Sequence, residues 1–203
     1  NRLQAIRKRE VISMGILRRW ALSAWVAAAV FSVGANAQAT PVIKERGGLY
    51  YLAPGYTAAD VANFYWRSLN GWSEHPAEMA KYYQKDGVYA LAYAPVDDFP
   101  NVGFKRANKG RQEMTDYFTN FSKQLGNLRY SDPKTWTLLQ TTQKGTYVFE
   151  YSSDGVIRAT NKPYQQRFIA ILRMAKDGQI QAVREYWDPY VALRDFGLIK
   201  KTQ

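Results

Sequence analysis

The chain predicts an α+β fold, a cone-shaped barrel in which a strongly curved antiparallel sheet wraps over three N-terminal helices. Three observations predict it. Apolar residues recur at helical spacing in three capped segments between Thr57 and Leu125. From Lys134 onward the pattern switches to β-rich runs separated by the turn signals Asp154-Gly155 and Asp177-Gly178. Long strands joined by such tight turns must twist, and a twisted sheet curled over helices leaves a cone open at one end.

The elements follow in order. Residues 38–56 contain Pro and Gly without clear periodicity and read as a linker or arm. Thr57-Ala58-Ala59-Asp60 is a capping box, in which hydroxyl and carboxylate satisfy the first free amides of a helix. That helix carries Val61, Phe64, Tyr65 and Leu69 on one face and stops at Asn70-Gly71. Pro76 suits the first turn of a second helix, with Met79, Tyr82 and Tyr83 inward and Asp86-Gly87 at its end. Val88 to Ala94 reads as a short strand. A fifteen-residue loop from Pro95 to Lys109 holds Asp97 and Asp98, and loops of this length often rim a site. The third helix, Gly110 to Leu125, turns Met114, Tyr117, Phe118, Phe121 and Leu125 to one side. Five β-rich runs follow, Lys134–Thr142, Thr146–Ser153, Val156–Thr160, Tyr164–Ala175 and Gln179–Asp188.

The N-terminal segment reads as an address. Arg18-Arg19 precede the apolar run Trp20 to Val33, too short to span a bilayer as a helix, and the small residues Gly34 to Ala39 follow. This is the pattern of a secretory signal peptide over residues 1–37, with Met14 as a candidate start that would leave residues 1–13 untranslated. General secretion fits better than a twin-arginine route, because Trp20-Ala21-Leu22 departs from that signal. A periplasmic or secreted protein is expected, with no membrane association after removal of the leader. The leader carries six basic residues against Glu10, so the net charge of +11 falls to +6 without it. The remaining cations are scattered, which argues against a nucleic-acid partner.

Without the leader a chain of about 165 residues is one ordinary domain, large enough to bury roughly two-thirds of its unfolded surface, and that domain is read over residues 57–203. The chain has no Cys, which removes thiol nucleophiles, thiolate metal sites and disulfides. With one His and dispersed acids, no metal site is expected, and no Gly-rich phosphate loop or Gly-x-Ser-x-Gly stands where a nucleotide or a serine nucleophile would need it. No cofactor is expected. Fifteen Tyr, nine Phe and six Trp exceed what a tight aliphatic core needs, so some line a cavity or an interface. A homo-oligomer, dimer or trimer, is expected to cover the apolar side of the sheet.

The candidate chemistry centres on Glu185. Strand alternation places Val183, Glu185 and Trp187 on one face and Arg184 and Tyr186 on the other. Val183 and Trp187 are the apolar set, so they should face inward and take Glu185 with them. A carboxylate in an aromatic cavity is desolvated and its pKa rises, which suits a general acid or base near neutral pH. The competing role is a sheet salt bridge to Arg167 or Arg173 on the neighbouring strand. Tyr65, Tyr93, Phe168 and Trp187 are expected to border the same cavity. Tyr89 and Tyr93 alternate to one side of their strand and could orient a substrate. His75, the sole imidazole, stands before Pro76 at the helix cap and is a further candidate substrate contact.

Arg184-Glu185-Tyr186-Trp187-Asp188-Pro189, the Asp86-Gly87-Val88 leading into the first strand and the order of elements resemble the nuclear transport factor 2-like superfamily. This superfamily includes ketosteroid isomerase, the SnoaL-type polyketide cyclases and the phenazine biosynthesis A/B proteins, and the resemblance spans about residue 57 to residue 197. It implies the conical fold, and for Glu185 a place in the pocket and a part in acid/base chemistry. Phe64-Tyr65-Trp66-Arg67-Ser68-Leu69-Asn70 is similar to the ketosteroid isomerase helix whose tyrosine donates to a developing enolate, which implies that role for Tyr65. The isomerase's aspartate base falls at Leu91, and its second acid falls in Phe168-Ile169-Ala170-Ile171, where there is none. Steroid isomerisation by that route is therefore not expected. The combined expectation is a cofactor-independent isomerase, cyclase, dehydratase or lyase acting on a small apolar or aromatic compound. The alternative is a non-catalytic module of the same fold for small-ligand binding or association.

Overall fold

The computed structural model describes residues 42–199, so the leader read in residues 1–37 lies outside the described residues. The expected linker contains a hairpin, β1 (Ile43–Arg46) and β2 (Leu49–Leu52). Gly47 and Gly48 both take positive φ, +59° and +75°, as a two-residue turn matched to strand twist requires. Helix α1 (Ala58–Leu69) has the expected capping box: Thr57 N donates to Asp60 Oδ2 at 2.8 Å, and Asp60 N donates to Thr57 Oγ1 at 3.2 Å. Its inward face buries Val61, Phe64, Tyr65 and Leu69 as the spacing predicts.

The second helix is shorter than expected. α2 (Pro76–Ala80) ends before Tyr82, and β3 (Tyr83–Leu91) takes over residues read as helical. The Asp86-Gly87 signal marks an irregularity inside β3, not a helix stop. The pairing register shifts between Tyr83 and Val88, and a β-carbon on Gly87 would stand 3.1 Å from the Gln84 carbonyl oxygen. The loop after β3 contains a 3-10 turn at Pro100–Val102 and a short strand, β4 (Ala107–Lys109), before α3 (Gly110–Ser122). Leu125 belongs to β5 (Leu125–Tyr130), a strand whose alternation is interrupted by Asn127 at φ +51° and is hard to see in sequence for that reason.

The remaining strands are β6 (Thr137–Gln140), β7 (Thr146–Ile157), β8 (Lys162–Met174) and β9 (Ile180–Trp187), followed by α4 (Pro189–Asp195). Asp154-Gly155 is not a hairpin turn, because β7 runs through it in register with Gln165 and Tyr164 of β8. Glycine is needed at 155 for a different reason: β5 crosses so closely that a β-carbon would lie 2.9 Å from Leu128 Cδ1. The Asp177-Gly178 turn between β8 and β9 forms as expected.

The main sheet runs β4-β3-β9-β8-β7-β5, with β6 also on β7. It is mixed and not wholly antiparallel, since β3 pairs with β9 in parallel. Alternation within a strand reports its faces but not its partner's direction, which explains the difference. The result is a curled half-barrel with helices against its concave face. Phe64, Tyr65, Met114, Phe149, Leu172 and Val183 fill the core between them.

The hairpin is fastened where β8 turns into β9. Leu52 N donates to Gly178 O at 2.8 Å, and Tyr50 stacks on Tyr82 with ring centroids 4.6 Å apart. Gly178 has φ +87°, and a β-carbon there would collide with the Leu52 carbonyl. Gly178→Ala is expected to cost about 2–4 kcal/mol from backbone strain plus the clash. Chemical denaturation of parent and variant checks this, and an unchanged midpoint would show that the hairpin docks elsewhere.

Candidate functional site

Strand β9 delivers Glu185 to the concave face, flanked by Val183 and Trp187 as alternation predicts. The side chain is 2 % exposed. In the sheet register Glu185 lies between Leu91 of β3 and Ala170 of β8, and the small Ala170 leaves room beside the carboxyl group. Three tyrosine hydroxyls converge on it from three elements. Tyr65 of α1 donates to Oε1 at 3.1 Å, Tyr151 of β7 donates to the same oxygen, and Tyr89 of β3 donates to Oε2. The Tyr65 and Tyr151 hydroxyls also lie 3.0 Å apart.

This ring replaces the expected alternative of a salt bridge. Arg167 and Arg173 project, exposed, from the other face of β8, and among the described residues no Lys, Arg or His pairs with Glu185. Burial pushes the Glu185 carboxyl above its usual range, while the hydrogen bonds from Tyr151, Tyr89 and Tyr65 pull part of the way back. Burial first, and then the Glu185 charge, hold Tyr65, Tyr89 and Tyr151 well above the ordinary phenol range. The tyrosines therefore stay neutral donors. Glu185 is the acid of the cluster, its carboxyl raised above the ordinary carboxylate range.

Glu185 and Tyr89 line a cavity of about 70 Å³. Its walls are aromatic: Tyr117, Phe118 and Phe121 come from α3, Tyr130 from β5, and Phe168 and Trp187 from the sheet. Trp72 supports the wall by donating from Nε1 to the Tyr130 hydroxyl at 2.9 Å. Among the described lining residues there is no Lys, Arg or His. Nor do three or more His, Cys, Asp or Glu side chains converge as a metal would need, among the described residues.

Of the residues singled out from sequence, Glu185, Tyr89, Phe168 and Trp187 meet at this cavity. Tyr65 joins the cluster from behind. It is fully buried, absent from the cavity wall, and its hydroxyl is engaged with Glu185 and Tyr151, so it positions the carboxylate and does not face a ligand. Tyr93 lies outside the cavity, because β3 ends at Leu91 and alternation ends with it; its ring is 63 % exposed and packs edge-on to Tyr186 of the opposite face. His75 also lies outside, exposed at the α2 cap, where its position before Pro76 puts it at the surface. Asp188 accepts from Tyr190 N at 2.9 Å and caps α4.

Sequence reasoning missed Tyr151 as a partner of Glu185. In sequence Tyr147, Phe149 and Tyr151 alternate on the parity opposite Glu150, which places the three on one face but does not say what Tyr151 meets. It also missed the wall supplied by β5, since that strand was not seen.

No protein-family model matches the chain. The chain is 25 % identical over 131 residues to the uncharacterized protein YesE of Bacillus subtilis, covering 64 % of this chain and 78 % of that protein. It is 27 % identical over 115 residues to an uncharacterized PhzA/B-like protein of Pseudomonas aeruginosa, covering 57 % and 74 %. Among solved structures, it is similar to the BvnE pinacolase of Penicillium brevicompactum, with a TM-score of 0.55, 14 % identity and coverage of 70 % and 92 %. A phenazine biosynthesis-related protein of Pseudomonas aeruginosa matches with a TM-score of 0.52, 13 % identity and coverage of 74 % and 92 %. A Catenulispora acidiphila protein with a ketosteroid isomerase-like fold, solved in complex with trimethylamine, matches with a TM-score of 0.51, 14 % identity and coverage of 67 % and 92 %. At these identities the likeness is one of fold, and this chain has the cone-shaped α+β fold of the nuclear transport factor 2-like proteins.

Proposed function

We propose that the protein is a cofactor-independent enzyme of the isomerase or lyase type, in which Glu185 moves a proton on a small compound held in the aromatic cavity. One observation carries this reading: a carboxylate without a cationic partner among the described residues, pushed up in pKa by burial, forms part of the cavity wall. As a carboxylate, Glu185 takes a proton from a carbon next to a carbonyl, and the electron pair of that bond passes into the enolate and onto its oxygen. Returning the proton to another carbon isomerises the compound. Giving it to a hydroxyl on the next carbon expels water and completes a dehydration. Tyr65 and Tyr151 hold Oε1, while Tyr89 beside Oε2 shares the wall with the reacting group.

The experiment uses a panel of small enolisable ketones incubated with the protein in D₂O, with loss of the α-proton NMR signal as readout. Catalysed exchange is expected for at least one compound. A compound that binds, shown by a thermal shift, yet exchanges at the solvent rate would support the second reading, a binding module. The cavity limits the ligand under either reading, because about 70 Å³ is about half the roughly 150 Å³ that admits benzene. A one-ring ligand therefore needs the aromatic wall to move outward.

Two features support further parts of the proposal. The apolar run before Ala37 and Ala39 supports export to the periplasm or beyond, which N-terminal sequencing of exported protein tests. Exposed Ile169, on the sheet face away from Glu185, and exposed Tyr93, packed against Tyr186 of that face, support a homo-oligomer, which sedimentation tests.

A further inference from the structure

Glu185 accepts three hydrogen bonds, but two donors in the same cavity have none. Among the described residues neither Ser153 Oγ nor Trp187 Nε1 has a hydrogen-bond partner, although both atoms are buried and both residues line the cavity. Ser153 is 1 % exposed. A buried donor left unmatched costs about 1–3 kcal/mol, so two in one small aromatic cavity call for an acceptor.

Their placement follows from register. Glu185 of β9 lies in line with Ala170 of β8 and Phe149 of β7; the next inward row is Trp187, Phe168 and Tyr151; the row beyond holds Gln166 and Ser153. The two free donors therefore stand one and two rows beyond the carboxylate, on the same concave face. A ligand between them meets a proton acceptor at one end and hydrogen-bond donors at the other, with Phe168 beneath and Phe118 and Phe121 opposite.

The charge of the ligand also follows. With no Lys, Arg or His among the described lining residues and a buried carboxylate at one end, an anionic ligand would meet unscreened repulsion. A cation would be attracted by the aromatic rings and by Glu185, but without an acceptor atom it would leave both donors unmatched. A neutral molecule with an exposed oxygen satisfies every group.

We propose that the Trp187 indole N–H and the Ser153 hydroxyl are the ligand-recognition donors of this cavity, and that its ligand class is uncharged compounds bearing a carbonyl oxygen. This rests on the Glu185 cavity being the ligand site, but not on Glu185 performing catalysis. In the reacting complex the same two donors are those toward which enolate charge develops.

The test uses the full chain with ¹⁵N-labelled tryptophan, titrated with cyclopentanone, cyclopentane, cyclopentanecarboxylate and tetramethylammonium. The Trp187 indole resonance is assigned from its loss in Trp187→Phe, and melting curves confirm that this variant and Ser153→Ala are folded. Cyclopentanone is expected to shift the Trp187 resonance downfield saturably, while cyclopentane and the carboxylate do not. Ser153→Ala is expected to weaken the ketone about three- to tenfold, the loss of one hydrogen bond. Tighter binding of tetramethylammonium than of the ketone overturns the proposal. So does ketone binding that leaves the indole resonance unmoved and is unaffected by Ser153→Ala, and so does no ketone binding at all. If the ketone binds through these donors but shows no catalysed α-proton exchange, the recognition assignment stands and the enzymatic reading falls.

Discussion

Glu185→Gln is expected to reduce α-proton exchange at least about 100-fold, the usual contribution of a positioned general base, and to leave the fold intact. The amide keeps the shape of the carboxyl group and can still accept from Tyr65 and Tyr151 through one oxygen, while its NH₂ group turns toward Tyr89. The stability of the variant is expected to exceed that of the parent as pH rises. The carboxyl pKa is raised in the folded protein, chiefly by burial. A group so raised contributes stability fully present below its unfolded value of about 4.3, and that stability is lost as pH rises through the folded-state pKa. Gln cannot ionise, so it escapes this loss. Melting temperatures of parent and variant from pH 4 upward should diverge in the variant's favour. A drop of about 3–5 kcal/mol in the variant at neutral pH would instead show that Glu185 had lost a buried cationic partner, and would end the general-base assignment.

Tyr151→Phe is the second large effect. The phenol ring stacks on Trp136 at 4.5 Å and on Phe168 at 5.0 Å between centroids, and phenylalanine keeps both contacts. The loss is confined to the hydroxyl, the largest of the hydrogen-bond influences that lower the Glu185 pKa. Removing it raises that pKa further. The variant is expected to lose about 1.5–3 kcal/mol where Glu185 is ionised and less where it is protonated, because hydrogen bonds to a charged group are the stronger ones. The acidic limb of the exchange–pH profile should move upward by the same cause. A pH-independent loss of stability with an unmoved profile would make Tyr151 a packing residue with no hold on Glu185.

The particular residues show what was readable. Val183, Glu185 and Trp187 stand at alternating positions on a strand closed by Asp188-Pro189, so both the inward direction of the carboxylate and its apolar neighbours follow from period two. The capped helix at Thr57 and the inward faces of α1 and α3 follow from the 3.6-residue period in the same way. Short or interrupted elements escaped: β5 is broken by the left-handed Asn127, and the Gly47-Gly48 hairpin has only four residues per strand. Asp86-Gly87 and Asp154-Gly155 differ from the turns they resemble because glycine has two uses, positive φ and the absence of a side chain where other atoms come close. Local sequence does not separate these uses.

The sequence by itself determined the α+β class, the concave face of β9 and the identity of the one carboxylate on it, because these depend on periodicities within single segments. Tertiary structure alone decided what surrounds that carboxylate. Tyr65, Tyr89 and Tyr151 lie 120, 96 and 34 residues from Glu185, and they meet it because β3 joins β9 in parallel and β8 bridges β9 to β7 in a fixed register. Tyr93 lies beyond the end of its strand and out of the site, and Ser153 and Trp187, both lining the cavity, carry buried donors without partners among the described residues. Side-chain direction is a local property of the backbone, whereas hydrogen-bond partnership is a property of pairs whose sequence separation the chain folds away.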